Sequence, residues 1–222
     1  IQSNLASIYL ARGDLHRALL ACEQTIAVFE SVHGLNHHDT LVALTRRATI
    51  KKELGLLSQA ASEFEKVRQQ SVITLGAKNA LTISIELSLA EVQMDLHEYV
   101  TALDIFQTVL EKKPTQAGAG VFPQSSVLMS CADALRAIDR PKEAAQHRRR
   151  CWEIECAEDG PAASETLQTA YALVEDLIAA DNDPEALKVV DLALASAANA
   201  TDEDEERQEW VEKLQTLKAE VS

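Results

Sequence analysis

The chain has 222 residues, and its 35 acidic side chains against 21 Lys and Arg give a formal charge of −14. That balance opposes general nucleic-acid binding, where phosphates demand a basic face, and is unfavourable for an anionic membrane surface. Aromatic residues make up only 4 %, with 7 Gly and 5 Pro, so an aliphatic core and long helices are expected rather than an all-β fold.

Residues 1–12 read as the first helix of a pair, with Leu5, Ile8 and Tyr9 spaced for one face. Gly13 suits the left-handed conformation that ends a helix, and Asp14 suits the N-cap of the next. That second helix runs to about Ser31, with Ala18, Cys22, Thr25, Ile26 and Phe29 as its buried stripe. The segment 34–40 (GLNHHDT) is a joint. A second pair follows at 39–54 and 57–73, broken by Gly55, and its joint 76–82 offers Asn79 as an N-cap. The third pair is 80–96 and 97–112, where Tyr99, Ala102, Phe106, Val109 and Leu110 form the cleanest apolar stripe. Pro114 stops that helix, and Gly118, Gly120 and Pro123 make the loosest joint.

The fourth pair is 123–138 and 141–157, with Pro141 in the first turn, where its missing N–H costs nothing. The fifth is 162–180 and 184–199, with Asp183 expected to cap ahead of Pro184 and Glu185. A last helix opens at Thr201, acidic in its first turn and carrying Lys213 and Lys218 near its end, which suits the helix dipole. Trp210, Leu214, Leu217 and Val221 fall on one face of it, as a helix sealing the end of an apolar core requires.

These pairs are copies of one unit. The segment Gly13–Ala18 returns every 42 residues, at 55–60, 97–102, 139–144 and 181–186. Alanine closes it each time, as Ala18, Ala60, Ala102, Ala144 and Ala186. Ala6, Ala48, Ala90, Ala132 and Val174 form a second column of small residues, and Gly34, Gly76, Gly118 and Gly160 a third. Columns that hold one period through the chain define a repeat array. Two small columns, one per helix, let the two axes of a pair approach closely; a larger side chain there would overpack the contact at ~1–3 kcal/mol. The repeats span about 1–34, 35–76, 77–118, 119–160 and 161–200, with a capping helix at 201–222. The expected fold is an all-α, right-handed superhelical solenoid of five antiparallel helix pairs plus the cap.

The run Leu5, Ala6, Tyr9, Gly13, Leu15, Ala18, Cys22 and Thr25 resembles the tetratricopeptide repeat, in a form longer by eight residues than the common 34-residue unit. The joint Gly34-Leu-Asn-His37-His-Asp39-Thr40 is similar to that of kinesin light chain, and Gly76, Asn79, Thr82, Gly160 and Thr166 fit it loosely. Similar long repeats occur as sensor arrays of some NLR-like signalling NTPases. The fourth repeat departs most: Arg148 stands where the others carry Cys22, Phe64, Phe106 and Val190, and Pro141 replaces a Leu or Tyr.

The resemblance implies a non-catalytic protein-interaction scaffold that binds a peptide or helical segment in a concave groove lined by first helices. The alternative it implies is a regulatory array acting in cis within a larger signalling NTPase. Carried over by column, the groove residues are Ser3, Ser7, Thr45, Thr49, Lys52, Leu87, Glu91, Met94, Met129, Asp133, Arg136, Tyr171 and Glu175. Leu87, Met94, Met129 and Tyr171 would hold apolar anchors, and Glu91, Asp133 and Glu175 would favour basic flanks. Ser3, Ser7, Thr45 and Thr49 stand where a carboxylate clamp needs Lys and Asn, so capture of a peptide's C-terminal carboxylate is not expected.

Arg148, Arg149 and Arg150, near Arg140, Lys142 and His147, form a basic concentration, read first as a solvated helix face with Arg148 snorkelling from a core column and second as a landing site for an acidic segment or a neighbouring domain. No HExxH, Walker A or GxSxG pattern appears, and Gly118-x-Gly120 lacks a third Gly and a preceding strand. His33, His37, His38 and Asp39 are explained by the joint, so no metal or cofactor is expected. Cys22, Cys131, Cys151 and Cys156 read as core residues in a reducing compartment, and with no membrane-length apolar run or signal-peptide pattern the expected location is cytoplasmic. Ile1 already lies inside a repeat and is not Met, which reads as a piece of a longer protein.

Overall fold

The computed structural model describes residues 2–112, 124–200 and 204–221, with side chains from Leu5 onward. Among the described residues the protein is all-α, with eleven helices and no strand. They are α1 (Gln2–Ala11), α2 (Leu15–His33), α3 (His38–Glu53), α4 (Leu57–Leu75), α5 (Ala80–Asp95), α6 (Tyr99–Glu111), α7 (Gln124–Ala137), α8 (Pro141–Glu158), α9 (Ser164–Ala179), α10 (Asp183–Ala198) and α11 (Glu205–Val221). The chain divides into two compact units, Ile1–Val121 and Phe122–Ser222. In the first, each helix packs on the next and α3 also touches α5. In the second, α7 to α10 pack in sequence and α11 lies against both α9 and α10, where an array's last core face needs cover. The expected Pro114, Gly118, Gly120 and Pro123 joint and the start at Thr201 lie outside the described residues.

The alanine columns sit where the helix axes come closest. Ala18, Ala60, Ala102, Ala144 and Ala186 have no exposed surface, and Ala6, Ala48, Ala90, Ala132 and Val174 have at most 1 %. Between the helices of each pair the backbone makes the same turn. Residues 13, 55, 97, 139 and 181 all have positive φ, as Gly13 (74°), Gly55 (75°), His97 (62°), Asp139 (58°) and Asp181 (56°). The following N–H reaches back five residues and the left-handed residue's own N–H three. Examples are Leu56 to Lys51 (2.9 Å) with Gly55 to Lys52 (2.9 Å), and Asn182 to Leu177 (2.9 Å) with Asp181 to Ile178 (2.9 Å). This double bond pattern satisfies two orphan carbonyls and turns the chain sharply enough for the next helix to fold back.

Local caps complete the joints. The Asp14 carboxylate accepts from the Arg17 N–H, Asn79 Oδ1 accepts from the Leu81 N–H (2.9 Å), and the Thr40 hydroxyl donates to the Gly34 carbonyl (2.9 Å). Asp183 is not the cap expected of it. Asn182 occupies that position without a side-chain hydrogen bond, and Asp183 is the first residue of α10, so Pro184 sits one place further in.

A charge stands in one of the core columns. Arg148 takes the place of Cys22 and Phe64, and Asp176 that of Ile50 and Val92; all six are nine-tenths or more buried. Arg148 Nε donates to Asp176 Oδ2 (2.6 Å) and Nη2 to Asp133 Oδ1 (2.6 Å), while Arg136 Nε lies 3.0 Å from Asp176 Oδ1. Burial pushes the Asp176 carboxyl up, and the Arg148 and Arg136 guanidinium groups pull it back towards ionisation. Arg148 is therefore not part of an exposed patch: the acids on α7 and α9 draw it inward. Arg149 pairs with Glu185 (2.9 Å), and Arg150 is exposed.

Two outcomes follow from these contacts. A Cβ added at Gly55 meets nothing within 4 Å, so the cost of a side chain there is conformational alone. Gly55→Val should lose ~1–2 kcal/mol in urea unfolding, and Gly55→Asn clearly less, because Asn tolerates the left-handed region. Arg148→Ala should lose ~3–5 kcal/mol by removing the main partner of the buried Asp176 carboxylate, whereas Arg148→Phe with Asp176→Val, which restores the apolar columns, should equal or exceed the parent in the same measurement.

Candidate functional site

The first-helix residues expected to line a groove divide between the two units. In the first, Ser7 lies on α1, Thr45, Thr49 and Lys52 on α3, and Leu87, Glu91 and Met94 on α5. Ser3 lies outside the described side chains. Ser7 and Glu91 are exposed, and Thr45, Thr49, Lys52 and Met94 half-buried. Leu87 is only 6 % exposed, so it packs inside the unit and has little surface to offer a ligand. Thr45 and Thr49 turn their hydroxyl hydrogens onto their own helix, at the Leu41 (2.8 Å) and Thr45 (3.1 Å) carbonyls. Their oxygens remain as acceptors.

One contact ties neighbouring first helices together on this face. Lys52 Nζ of α3 donates to Glu91 Oε2 of α5 (2.9 Å) and lies 3.9 Å from Asp95 Oδ2. Burial opposes the Lys52 charge, yet the Glu91 hydrogen bond and both acids hold its pKa above the usual lysine value. Beside it α3 carries Arg46, Arg47 and Lys51, a second basic concentration as dense as the triple arginine. Arg47 and Lys51 (2.7 Å) both pair with the buried Glu63 of α4, so part of that charge is spent inside the fold.

In the second unit Met129, Asp133 and Arg136 lie on α7, and Tyr171 and Glu175 on α9. Asp133, Arg136 and Glu175 are exposed, Met129 and Tyr171 half-buried. The buried Arg148 forms their floor: its Nη1 lies 2.8 Å from the Met129 sulfur and its Nη2 reaches Asp133. Arg136 crosses from α7 to Asp176 of α9, as Lys52 crosses from α3 to α5. Each unit thus has a first-helix face laced by a cross-helix ion pair and bearing half-buried apolar side chains.

Trp210 and Lys213 escape the column reading because α11 is assigned there only as a cap. The Trp210 ring lies 5.7 Å from that of Tyr171, tilted by 54°, and Lys213 Nζ sits 3.9 Å over the Trp210 ring. Burial and the neighbouring Glu175 raise the Tyr171 pKa, keeping its hydroxyl protonated. One of only two Trp in an aromatic-poor chain was the available signal for this cluster.

The buried cysteines and the joint histidines are taken up by the fold. Burial raises the thiol pKa of Cys22 to about 11 and of Cys131 and Cys151 to about 12, so none offers a thiolate near neutral pH. His37 Nδ1 accepts from the Asp39 N–H (3.2 Å) as the cap of α3, and its ring stacks on His33 at 4.4 Å. Among the described residues no group of His, Cys, Asp and Glu is arranged to hold a metal ion, and no helix is long and apolar enough to cross a membrane.

Residues 1–71 match the profile of the tetratricopeptide repeat. A search of curated proteins finds no match. Among solved structures, the chain is similar to a Podosopora anserina protein described as a kinesin light chain with nearly identical TPR-like repeats. The TM-score is 0.75 at 18 % identity, covering 91 % of this chain and 96 % of that one. BtubC (BKLC) from P. vanneervenii gives a TM-score of 0.74 at 19 % identity, over 91 % and 82 % of the two chains. MamA of Desulfovibrio magneticus RS-1 gives 0.64 at 13 %, over 90 % and 96 %. At these identities the likeness is one of fold. Residues 1–71 thus match the tetratricopeptide repeat, and over 91 % of the chain the fold is like that of kinesin-light-chain TPR-like repeats.

Proposed function

We propose that this chain is a non-catalytic protein-interaction scaffold whose first-helix faces take an extended or helical segment of a partner protein. The repeat fold supports an interaction scaffold in general. The observation that carries the finer reading is the Lys52–Glu91 bridge in one unit and the Arg136–Asp176 bridge in the other. Each sets two first helices side by side and leaves half-buried apolar side chains, Met94 in one unit and Met129 and Tyr171 in the other, next to fixed charge. That combination suits a segment with apolar anchors, and the exposed Glu91, Asp133 and Glu175 favour basic residues flanking them. Four unpaired cysteines, three of them buried, support a reducing, cytoplasmic setting for it.

The test is capture of partners from a lysate by the intact chain beside a variant with Met94→Ala, Tyr171→Ala and Glu175→Lys, both checked for helicity by circular dichroism. The partner should bind the variant at least ~10-fold more weakly, the loss expected for truncated anchors. Arg149→Glu with Arg150→Glu should leave binding unchanged. A partner kept by the first variant and lost by the second would move the site to the arginine face. Capture of nothing by either would favour the array acting in cis within a larger signalling NTPase.

A further inference from the structure

The second repeat places three charges in columns that the other repeats fill with neutral side chains. The first-helix column of Arg47 otherwise reads Leu5, Leu89, Cys131 and Leu173, and that of Lys51 reads Tyr9, Gln93, Leu135 and Leu177. The second-helix column of Glu63 is Ala21, Ile105, His147 and Val189 elsewhere. Arg47, Lys51 and Glu63 form the floor of a cleft of about 410 Å³ between α3 and α4, with Ser58, Ser62 and Lys66 exposed along its α4 rim. Arg47 and Lys51 (2.7 Å) share the one carboxylate of Glu63, and Lys66 makes no ion pair among the described residues. The cleft thus holds three bases against one acid. Its equivalent in the third repeat, about 450 Å³ and lined by Leu89, Gln93 and Ile105, has the opposite balance, with Glu65, Glu86 and Asp104 against Arg68.

We propose that the α3–α4 cleft binds a phosphoryl group carried on a segment of a partner protein. Arg47 and Lys51 are half-buried, so water screens them incompletely, and Glu63 answers only one of the three positive charges. A carboxylate would leave part of that surplus standing, whereas a phosphate monoester carries about −1.5 to −2 near pH 7 and matches it. Its three terminal oxygens suit the donors at hand: the Arg47 N–H groups that Glu63 does not take, two ammonium groups, and the Ser58 and Ser62 hydroxyls. The exposed α4 rim leaves a chain room to pass along the cleft. The site is separate from the anchors proposed above, because Arg47 and Lys51 turn to Glu63 of α4 while Lys52 turns to Glu91 of α5. It rests on the scaffold reading only for the carrier of the phosphate.

The probe is N-acetyl-phosphoserine amide, titrated into the isotope-labelled intact chain at constant ionic strength and followed by amide NMR shifts. N-acetyl-aspartate amide and inorganic phosphate are titrated in parallel. Shifts should centre on residues 47–51 and 58–66 with a Kd on the order of 1 mM, and the aspartate analogue should bind at least ~5-fold more weakly. Lys66→Gln, a change on an exposed side chain, should weaken binding ~3-fold, and Lys51→Gln with Lys66→Gln ~10-fold. Glu63→Gln, which releases Arg47 and Lys51 from their acid, should instead tighten it ~3-fold, with circular dichroism checking the helicity of each variant. Charges that merely hold α3 against α4 would give no such gain. Absence of shifts in these two segments, equal binding of the aspartate analogue, or full binding by Lys66→Gln overturns the proposal. Binding of inorganic phosphate alone overturns the carrier and assigns the cleft to the free ion. Partner capture through Met94 and Tyr171 does not use this cleft, so failure of either experiment leaves the other's result standing.

Discussion

The structure depends on how closely two helices of a pair can approach. Burying an aliphatic stripe stabilises by roughly 25 cal/mol per Å² removed from water, but only if the backbones come near enough for the stripes to meet. Alanine at the crossing of nearly every pair permits this, and Val174 marks the one position where a slightly larger residue is accommodated. With the pair locked at its crossing, the turn has little freedom left. The same left-handed residue and the same two backward hydrogen bonds recur in all five pairs, although Gly, His and Asp take turns at the position. Geometry outlasts residue identity there because the constraint acts on φ, and His and Asp can meet it at a modest cost.

Charge in this protein follows a different rule from its surface excess. The net −14 is carried by the outside, while the buried acids are each answered by bases across a helix boundary. Glu63 of α4 meets Arg47 and Lys51 of α3; Glu86 of α5 meets Lys112 at the end of α6; Asp176 of α9 meets Arg148 and Arg136. Pairs of this kind cost desolvation and return little net stability, but an unpaired member would be far worse. A helix that slipped by one turn would bury a charge against aliphatic side chains.

What the sequence made legible was whatever repeats. Helix bounds, the crossing alanines and the turn at 13, 55, 97, 139 and 181 can all be read because five copies report on the same local requirement. What it hid was whatever happens once and at long range. Three consecutive arginines read as a basic patch, since adjacency is visible and a partner 28 residues away is not; the column substitution of Phe by Arg makes sense only beside the column substitution of Val by Asp. Leu87 fits the groove columns by number, yet packing buries it. Trp210 and Lys213 were masked by the expectation that the last helix is a cap, which accounts for an apolar face but not for an aromatic stacked on Tyr171.

The same division accounts for how such a fold can carry recognition. Because the small columns and turns fix each pair, the exposed positions of the first helices are released from packing and can diverge. The exposed or half-buried first-helix residues are Ser7, Thr45, Thr49 and Lys52 on α1 and α3, and Met129, Asp133, Arg136, Tyr171 and Glu175 on α7 and α9, the former polar and the latter mixing apolar, aromatic and charged side chains. A carboxylate clamp would require cations free to bind a terminus, and Lys52 is already held by Glu91 and flanked by Asp95. Under the function proposed above, anchors set beside neutralised charge favour an apolar segment with basic flanks, and Glu91, Asp133 and Glu175 disfavour an acidic one.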